Sequence, residues 1–468
     1  MSEDGAKYKD EEEFRAAQES QNTGGYGAIR TASLIEPRNG DAKYDSRHDH
    51  DHDHGHAKAK WRDIIGFFIF GLLADALPGF FFSATIIKAL DIPDDNAAVL
   101  SLSADIGGVV GAFSAALVLR RFQPGTRIVV NASLQALGIL LSWVLSYPGN
   151  MAGISILTVG FIGMLGTILP LTSYKPKVVT RSYQFGFSGA PILGIAVVEF
   201  GDAVGMSSNG LFAIAMSVPV LLCLVFFFVI DRSNFIGANA QRENSTDNEE
   251  ERDSKQVHRS ISFADFEDSS LARADMIEAI KEILWTYWPI YILAFALYKF
   301  YITSAAVYFY SSSATFDGRD PVLAYNNITL ATHVFVFFLG ILAMVPRLSR
   351  GHWAILWAPV IILVSLVTAV VLGLHGHFPP LGLGGAFGVA VSVVGCFYYV
   401  QLFTSLIMRN DRNITPRYFE FQLQTLVVVY NIVYLSVDLI ASFWAAPAIL
   451  EACRENYEEV YDGVSCTF

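Results

Sequence analysis

The stretch Arg47–His56 reads RHDHDHDHGH, and five of the chain's ten histidines (His48, His50, His52, His54 and His56) stand there at every second position. Alternating imidazoles and carboxylates can hold zinc or copper, ions that accept nitrogen and oxygen ligands. A second set of reactive groups is embedded in apolar sequence. It comprises Asp75 in LLADALPG, Asp105 in SADIGG, Lys299 in LYKFY, His333 in ATHVFV and Asp438 in SVDLI. Glu199 and Glu420 stand nearer the ends of their apolar runs. A carboxylate drawn out of water can take up and release protons, and histidine titrates near neutrality. One set points to metal capture and the other to proton movement. The elements that carry them decide between the two.

The chain of 468 residues is 53% hydrophobic and 16% charged, whereas soluble domains carry roughly a quarter charged residues. Runs such as ISILTVGFIGMLGTILPL hold no charge over a length that crosses a bilayer core as a helix. These runs lack strand alternation, and in lipid only helices or closed barrels satisfy the backbone. The sequence therefore predicts an all-α polytopic membrane protein. Spans are expected near 63–90, 97–120, 127–147, 150–172, 183–205, 210–231, 284–312, 323–346, 353–374, 380–408 and 418–447. Six spans, a polar linker and five further spans suit a major-facilitator-like fold of two bundles flanking a solute path.

The expected organisation is a disordered cytosolic tail with the His-rich tract (1–60), a six-helix bundle (61–231), an acidic cytosolic linker (232–282), a second bundle (283–447) and a short lumenal tail (448–468). Acidity concentrates in the polar segments, with thirteen acids against nine bases in 1–60 and thirteen against seven in 231–282. Basic residues group on one side of the spans: Lys58, Lys60, Arg62, Arg120, Arg121, Arg127, Lys175, Lys177, Arg181, Arg347, Arg350, Arg409, Arg412 and Arg417. By the positive-inside rule that side, with the N-terminus and the linker, is cytosolic.

Charges inside spans are costly and usually face a cavity or a partner. Asp75, Asp105, Lys299 and His333 are therefore the candidates for a solute or proton path. Lys299 has three readings: a contact for an anionic solute group, a neutral desolvated amine, or the partner of a buried acid. Glu199 and Glu420 read as span-end acids satisfied by a neighbouring hydroxyl or by snorkelling. In FGFSGAPILG, Gly186, Gly189 and Pro191 mark a helix that either packs closely on a neighbour or unwinds as a gate. Cys453 and Cys466 either close a small loop in an oxidising lumen or remain two free thiols. The metal reading is weak, because His333 is the one intramembrane histidine and lacks a partner at helical spacing. No Cys-x-x-Cys pair, His-Glu-x-x-His, nucleophile elbow or phosphate-gripping loop occurs. Neither an enzyme nor a bound cofactor is expected.

The first span, WRDIIGFFIFGLLADALPGFFFSA, resembles that of the battenin family in Trp61, Arg62, Gly66, Phe67, Gly71, Leu72, Ser83 and Ala84. AAVLSLSADI is similar to the family's second span at Ala104, Asp105 and Ile106. LTSYKPKVVTRSYQFGFSGA, KEILWTYWPIYIL (Lys281, Leu284, Trp285, Pro289) and YVQLF (Tyr399–Phe403) continue the likeness in order. Thr167 and Lys299 stand where family members tend to carry glutamates, and Asp75 stands at an asparagine position. The resemblance implies a major-facilitator-like fold in a lysosomal or vacuolar membrane. It also implies a role in lysosomal pH and in amino-acid and glycerophosphodiester homeostasis. The resulting expectation is a secondary carrier of a small polar solute, with protons as the coupling ion. The bilayer is its surroundings, and nucleic acid is no partner. A non-transporting membrane scaffold that acts on trafficking and lumenal pH is the alternative.

Overall fold

Helix starts in this chain are written by proline and small polar caps. Pro124 opens one helix at its first turn, where its missing N–H is no loss. Asp320 accepts the Leu323 N–H at 2.9 Å ahead of another that begins with Pro321. Gly205 and Gly318 follow two helix ends with φ of 70° and 65°, a conformation that only glycine adopts cheaply. The computed structural model describes residues 60–81, 83, 86, 90, 97–232, 270–348, 352–411, 413–415 and 418–466. The RHDHDHDHGH tract and most of the linker lie outside the described residues.

The described residues form an all-helical, multi-pass membrane protein. Eleven helices long and apolar enough to cross a membrane occur among the described residues. They are α1 (Trp61–Phe81), α2 (Val99–Val118), α3 (Pro124–Val144), α4 (Gly149–Tyr174), α5 (Lys177–Ala203), α6 (Ser208–Val229), α7 (Trp288–Phe316), α8 (Leu323–Ala343), α9 (Trp353–His377), α10 (Leu383–Met408) and α11 (Phe419–Glu458). A shorter helix, Ser270–Leu284, precedes α7. Its separation from α7 moves the seventh span's start from the expected 284 to Trp288, because Pro289 begins a new helix. The last helical run continues past 447 to Glu458 through a π-helical turn at Ala441–Ala445. Large apolar side chains such as Phe443 and Trp444 point outward, 70% and 81% exposed, as a lipid-facing surface does.

Two groups of helices form. In the first, α1 packs on α5, α2 and α3 on α4, and α3 on α6. In the second, α8 and α9 pack on α10, and α7 on α10 and α11. The groups meet where α5 lies against α8 and where α11 lies against α2 and α4.

The α1–α5 contact explains the small residues of FGFSGAPILG. A Cβ on Gly186 would run into the Phe68 carbonyl, and one on Gly79 would lie 2.7 Å from the Pro191 carbonyl oxygen. Gly189 serves the other face, where a Cβ would meet the Phe337 ring of α8 at 2.9 Å. The helix Lys177–Ala203 runs unbroken through Pro191. In this conformation the three residues therefore act in close packing, without an unwound turn. Gly186→Val is expected to destabilise the protein by about 3 kcal/mol, the upper part of the overpacking range, because backbone cannot yield as a side chain does. Gly384→Ala is the control, since nothing lies within 4 Å of its Cβ position. Thermal midpoints in detergent check the pair, and equal midpoints would contradict the packing.

Candidate functional site

Ser101 and Asp105 lie four residues apart, so helical periodicity puts them on one face of α2. That face meets α7 and α11 at a buried cluster of charges. Lys299 Nζ donates to Ser101 Oγ at 2.6 Å and pairs with Asp105 Oδ2 at 2.8 Å. Asp438 Oδ1 lies 3.7 Å from the same ammonium. The Lys299, Asp105 and Asp438 side chains are 4%, 9% and 0% exposed. The ammonium also stands 5.2 Å from the centroid of the Tyr434 ring, one turn before Asp438. Of the three readings of Lys299, partnership with buried acids is the one the geometry adopts.

The backbone around the cluster is irregular. Lys299 is followed at once by a π-helical turn, Tyr301–Ala305, and Asp438 is followed by the π-helical turn Ala441–Ala445. The two turns pack on each other. Thr303, inside the first turn, donates to Asp438 Oδ1 at 2.9 Å. Such turns inside α-helices occur frequently at functional sites, because one extra residue re-aims the side chains on either side.

Asp75 is buried at a break in α1, between Trp61–Ala74 and Ala76–Phe81. It lies within electrostatic range of Tyr183, Tyr298, Tyr398 and Tyr430, on four other helices. Tyr430 is also within electrostatic range of Asp105, so it feels both acids. His333 is spent differently. Its Nδ1 lies 2.8 Å from the Thr329 carbonyl of its own helix, and its ring packs edge-on against Tyr398. The structure thus brings Asp105 and Lys299 together, adds Asp438 to them, and leaves His333 out of the ion pairs.

Toward the face where α1 begins, a cavity of about 50 Å³ lies between the two helix groups. Tyr183, Gln184, Gln401, Ser405 and Tyr430 line it with apolar side chains from α4 and α11. Gln184 Nε2 donates to Ser405 Oγ at 2.9 Å across the groups. The Tyr183 hydroxyl and Gln401 Oε1 are buried without a hydrogen-bond partner. That volume holds a few waters at most. The groups are closed around it.

On that face, residues that sequence reasoning treated only as loop charges form a network. Lys175 Nζ pairs with Asp63 Oδ2 at 2.9 Å and donates to the Asp231 carbonyl at 2.6 Å, with Lys175 and Asp63 nearly fully buried. Asp63 Oδ1 accepts the Asp231 N–H at 2.9 Å. Lys60 bonds the Asp231 carboxylate at 2.5 Å, and this contact raises its pKa. Arg409, after α10, donates to the Thr172 and Ser173 carbonyls at 3.1 and 3.3 Å, to the Lys175 carbonyl and to the Thr180 hydroxyl. Burial, with the like charge of Arg181, brings the pKa of Arg409 down to about 10, so it stays a cation at neutral pH. The Tyr174 hydroxyl donates to Glu420 at 2.5 Å, which gives that span-end acid its neighbouring hydroxyl. The ends of α1, α4, α6 and α10 therefore share one face, the grouping that the basic loops require.

On the opposite face Cys453 and Cys466 form a disulfide, both fully buried. The tail it closes is tied to α7, where Thr315 Oγ1 accepts the Ser465 N–H at 2.9 Å and Ser311 Oγ donates to the Ser465 carbonyl at 3.1 Å. Among the described residues, no group of three or more His, Cys, Asp or Glu side chains could hold a metal ion.

No family model matches the chain, and no curated protein matches it. Among solved structures, a major-facilitator transporter, FucP in the outward conformation, shares 14% identity over 84% of this chain and 97% of its own, with a TM-score of 0.46. A substituted form of the E. coli fucose–proton symporter FucP gives the same identity and coverage with a TM-score of 0.45.

Proposed function

We propose that the protein is a secondary carrier of small polar solutes, coupled to protons through Asp105 and Asp438. The observation that carries this reading is the buried Lys299–Asp105–Asp438 cluster, which joins α2 of one helix group to α7 and α11 of the other. A carrier works by rocking one bundle against the other. A titratable cluster that spans their junction feels that motion directly, and ionisable groups at membrane depth are expensive enough to imply a role. The contacts of α2 with α11 and of α5 with α8 support a major-facilitator-like arrangement. The cavity between the groups, where the unpartnered Tyr183 hydroxyl and Gln401 carbonyl stand among apolar side chains, supports a solute path there.

The finer reading follows the resemblance to battenins. It places the carrier in a lysosomal or vacuolar membrane, with the Lys175–Arg409 face cytosolic by its basic residues. Amino acids and glycerophosphodiesters are its candidate solutes, and lumenal pH depends on its proton coupling. Lys299 is engaged by two carboxylates, which argues against its use as the contact for an anionic solute. In reconstituted vesicles Asp105→Asn is expected to abolish the pH dependence of flux, because an amide cannot exchange the proton. Flux of the Asp105→Asn protein that still follows pH as the native protein does removes Asp105 from the coupling path.

A further inference from the structure

The cluster's charges do not balance. Asp105 and Asp438 carry two carboxylates, and Lys299 supplies one ammonium. A net charge buried at membrane depth is strongly disfavoured unless it is compensated. Two observations locate the missing positive charge. Asp438 Oδ2 is fully buried and has no hydrogen-bond partner, and Asp105 Oδ2, which faces the ammonium at 2.8 Å, accepts no directed hydrogen bond either. The Asp105 and Asp438 carboxylates also stand 2.8 and 3.7 Å from the same ammonium, close enough for each to feel the other's charge. The groups facing the cluster are Ser101 and Asp105 from α2, Lys299 and Thr303 from α7, and Tyr434 and Asp438 from α11. Tyr430 adds a hydroxyl within electrostatic range of Asp105, and Asp75 of α1 is within range of Tyr430. None of these neighbours adds a second cation.

We infer that Lys299 is a tethered cation. It fills one of the two cation places that Asp105 and Asp438 create, and the site exchanges a single proton and no metal ion. The ammonium sits where a monovalent ion would lie, among the oxygens of Ser101, Asp105 and Asp438. The remaining place is the Asp438 Oδ2 side of the carboxylate pair, and it has room for a proton on a carboxyl oxygen. A proton arriving there converts one carboxylate to a carboxylic acid and leaves the other paired with Lys299. Release reverses this. The inference rests on the coupling role proposed above for these three residues, and it adds the identity and number of the coupling ions.

The test uses the purified full-length protein and reads thermal midpoints against pH, and against NaCl compared with choline chloride at equal ionic strength. The wild-type midpoint is expected to fall as pH rises, because the folded cluster holds about one proton more than the unfolded chain. It is expected to respond equally to the two salts. Lys299→Ala vacates the ammonium's place, and its midpoint is expected to gain a saturable rise with NaCl that choline does not reproduce. The Lys299→Ala/Asp438→Asn double variant should lose that rise. A wild-type midpoint that climbs with sodium alone overturns the inference, and so does a folded Lys299→Ala protein that ignores sodium. Should Lys299→Ala not fold, Asp438→Asn decides. It leaves one carboxylate matched to one ammonium, so its pH profile should flatten, and an unchanged profile overturns the inference. These readouts need no solute. The expected shifts without flux of any solute would remove the carrier reading and leave the ion occupancy standing, whereas flux with the opposite shifts would do the reverse.

Discussion

Lys175→Met is expected to cost about 3–5 kcal/mol of stability, the usual penalty for stripping one partner from a buried ion pair. Asp63 would be left without its counter-ion at a site where its side chain is 4% exposed, with the 2.9 Å contact to Lys175 gone. The loss does not stop at the pair. Lys175 also donates to the Asp231 carbonyl, so the end of α6 loses its bond to the α4–α5 turn. The Lys175→Met/Asp63→Leu double variant should recover part of the stability, because two apolar side chains can replace a buried pair. Recovery stays incomplete, since the Asp231 N–H loses its acceptor on Asp63. A double-mutant cycle on detergent-solubilised protein measures the coupling. A Lys175→Met protein within about 0.5 kcal/mol of wild type would match an ordinary surface substitution and contradict the burial.

The second large effect belongs to Arg409. Its guanidinium serves four acceptors at the end of α4, in the α4–α5 turn and at the start of α5, while its own backbone follows α10 of the other helix group. Each bond from a charged donor contributes about 1.5–3 kcal/mol. Arg409→Leu removes all of them and loosens the two groups on that face, where the Tyr174–Glu420 and Gln184–Ser405 bonds remain. Access to the closed cavity should rise with it. A cysteine introduced by Gln401→Cys, in a background with Cys223 and Cys396 replaced, is expected to react at least about tenfold faster with a water-soluble thiol reagent, the factor that 1.4 kcal/mol corresponds to. Arg409→Lys should restore only part of the closure, because an ammonium lacks the planar fork that reaches several carbonyls at once. Labelling that is indifferent to Arg409 would mean that other contacts hold this face.

Both effects depend on residues whose sequence setting looks ordinary. Lys175 stands in SYKPK and Arg409 in IMRND, each a basic residue in a short polar turn. The positive-inside rule reads them correctly as sharing one face, but it assigns them to solvent. Lys175 is instead 4% exposed, because the ends of α1, α4 and α6 converge around it. Asp63, two residues into α1, carries no sign in the sequence that it accepts from residues just beyond the ends of two other helices.

The candidate site was legible one helix at a time. An acid or a lysine inside an apolar run stands out, because lipid penalises it wherever the helix is placed, and Asp75, Asp105, Lys299, His333 and Asp438 can be found on that ground alone. Ser101 and Asp105 can even be put on one face from their spacing. The eleven apolar runs, their order, and the break between the sixth and seventh follow equally from composition, since length and hydropathy are local properties. What no local property contains is which helix faces which. Lys299 meets Ser101 across 198 residues of chain, and Thr303 meets Asp438 across 135. Those meetings depend on the packing of α2, α7 and α11, set in part by glycines such as Gly108, where a Cβ would collide with Asn431. The sequence by itself determined a polytopic helical protein with ionisable groups at membrane depth, because the bilayer acts on each segment separately. Only the tertiary structure decided that Lys299 lies between two carboxylates and that His333 does not join them, because an ion pair is a property of two surfaces in contact.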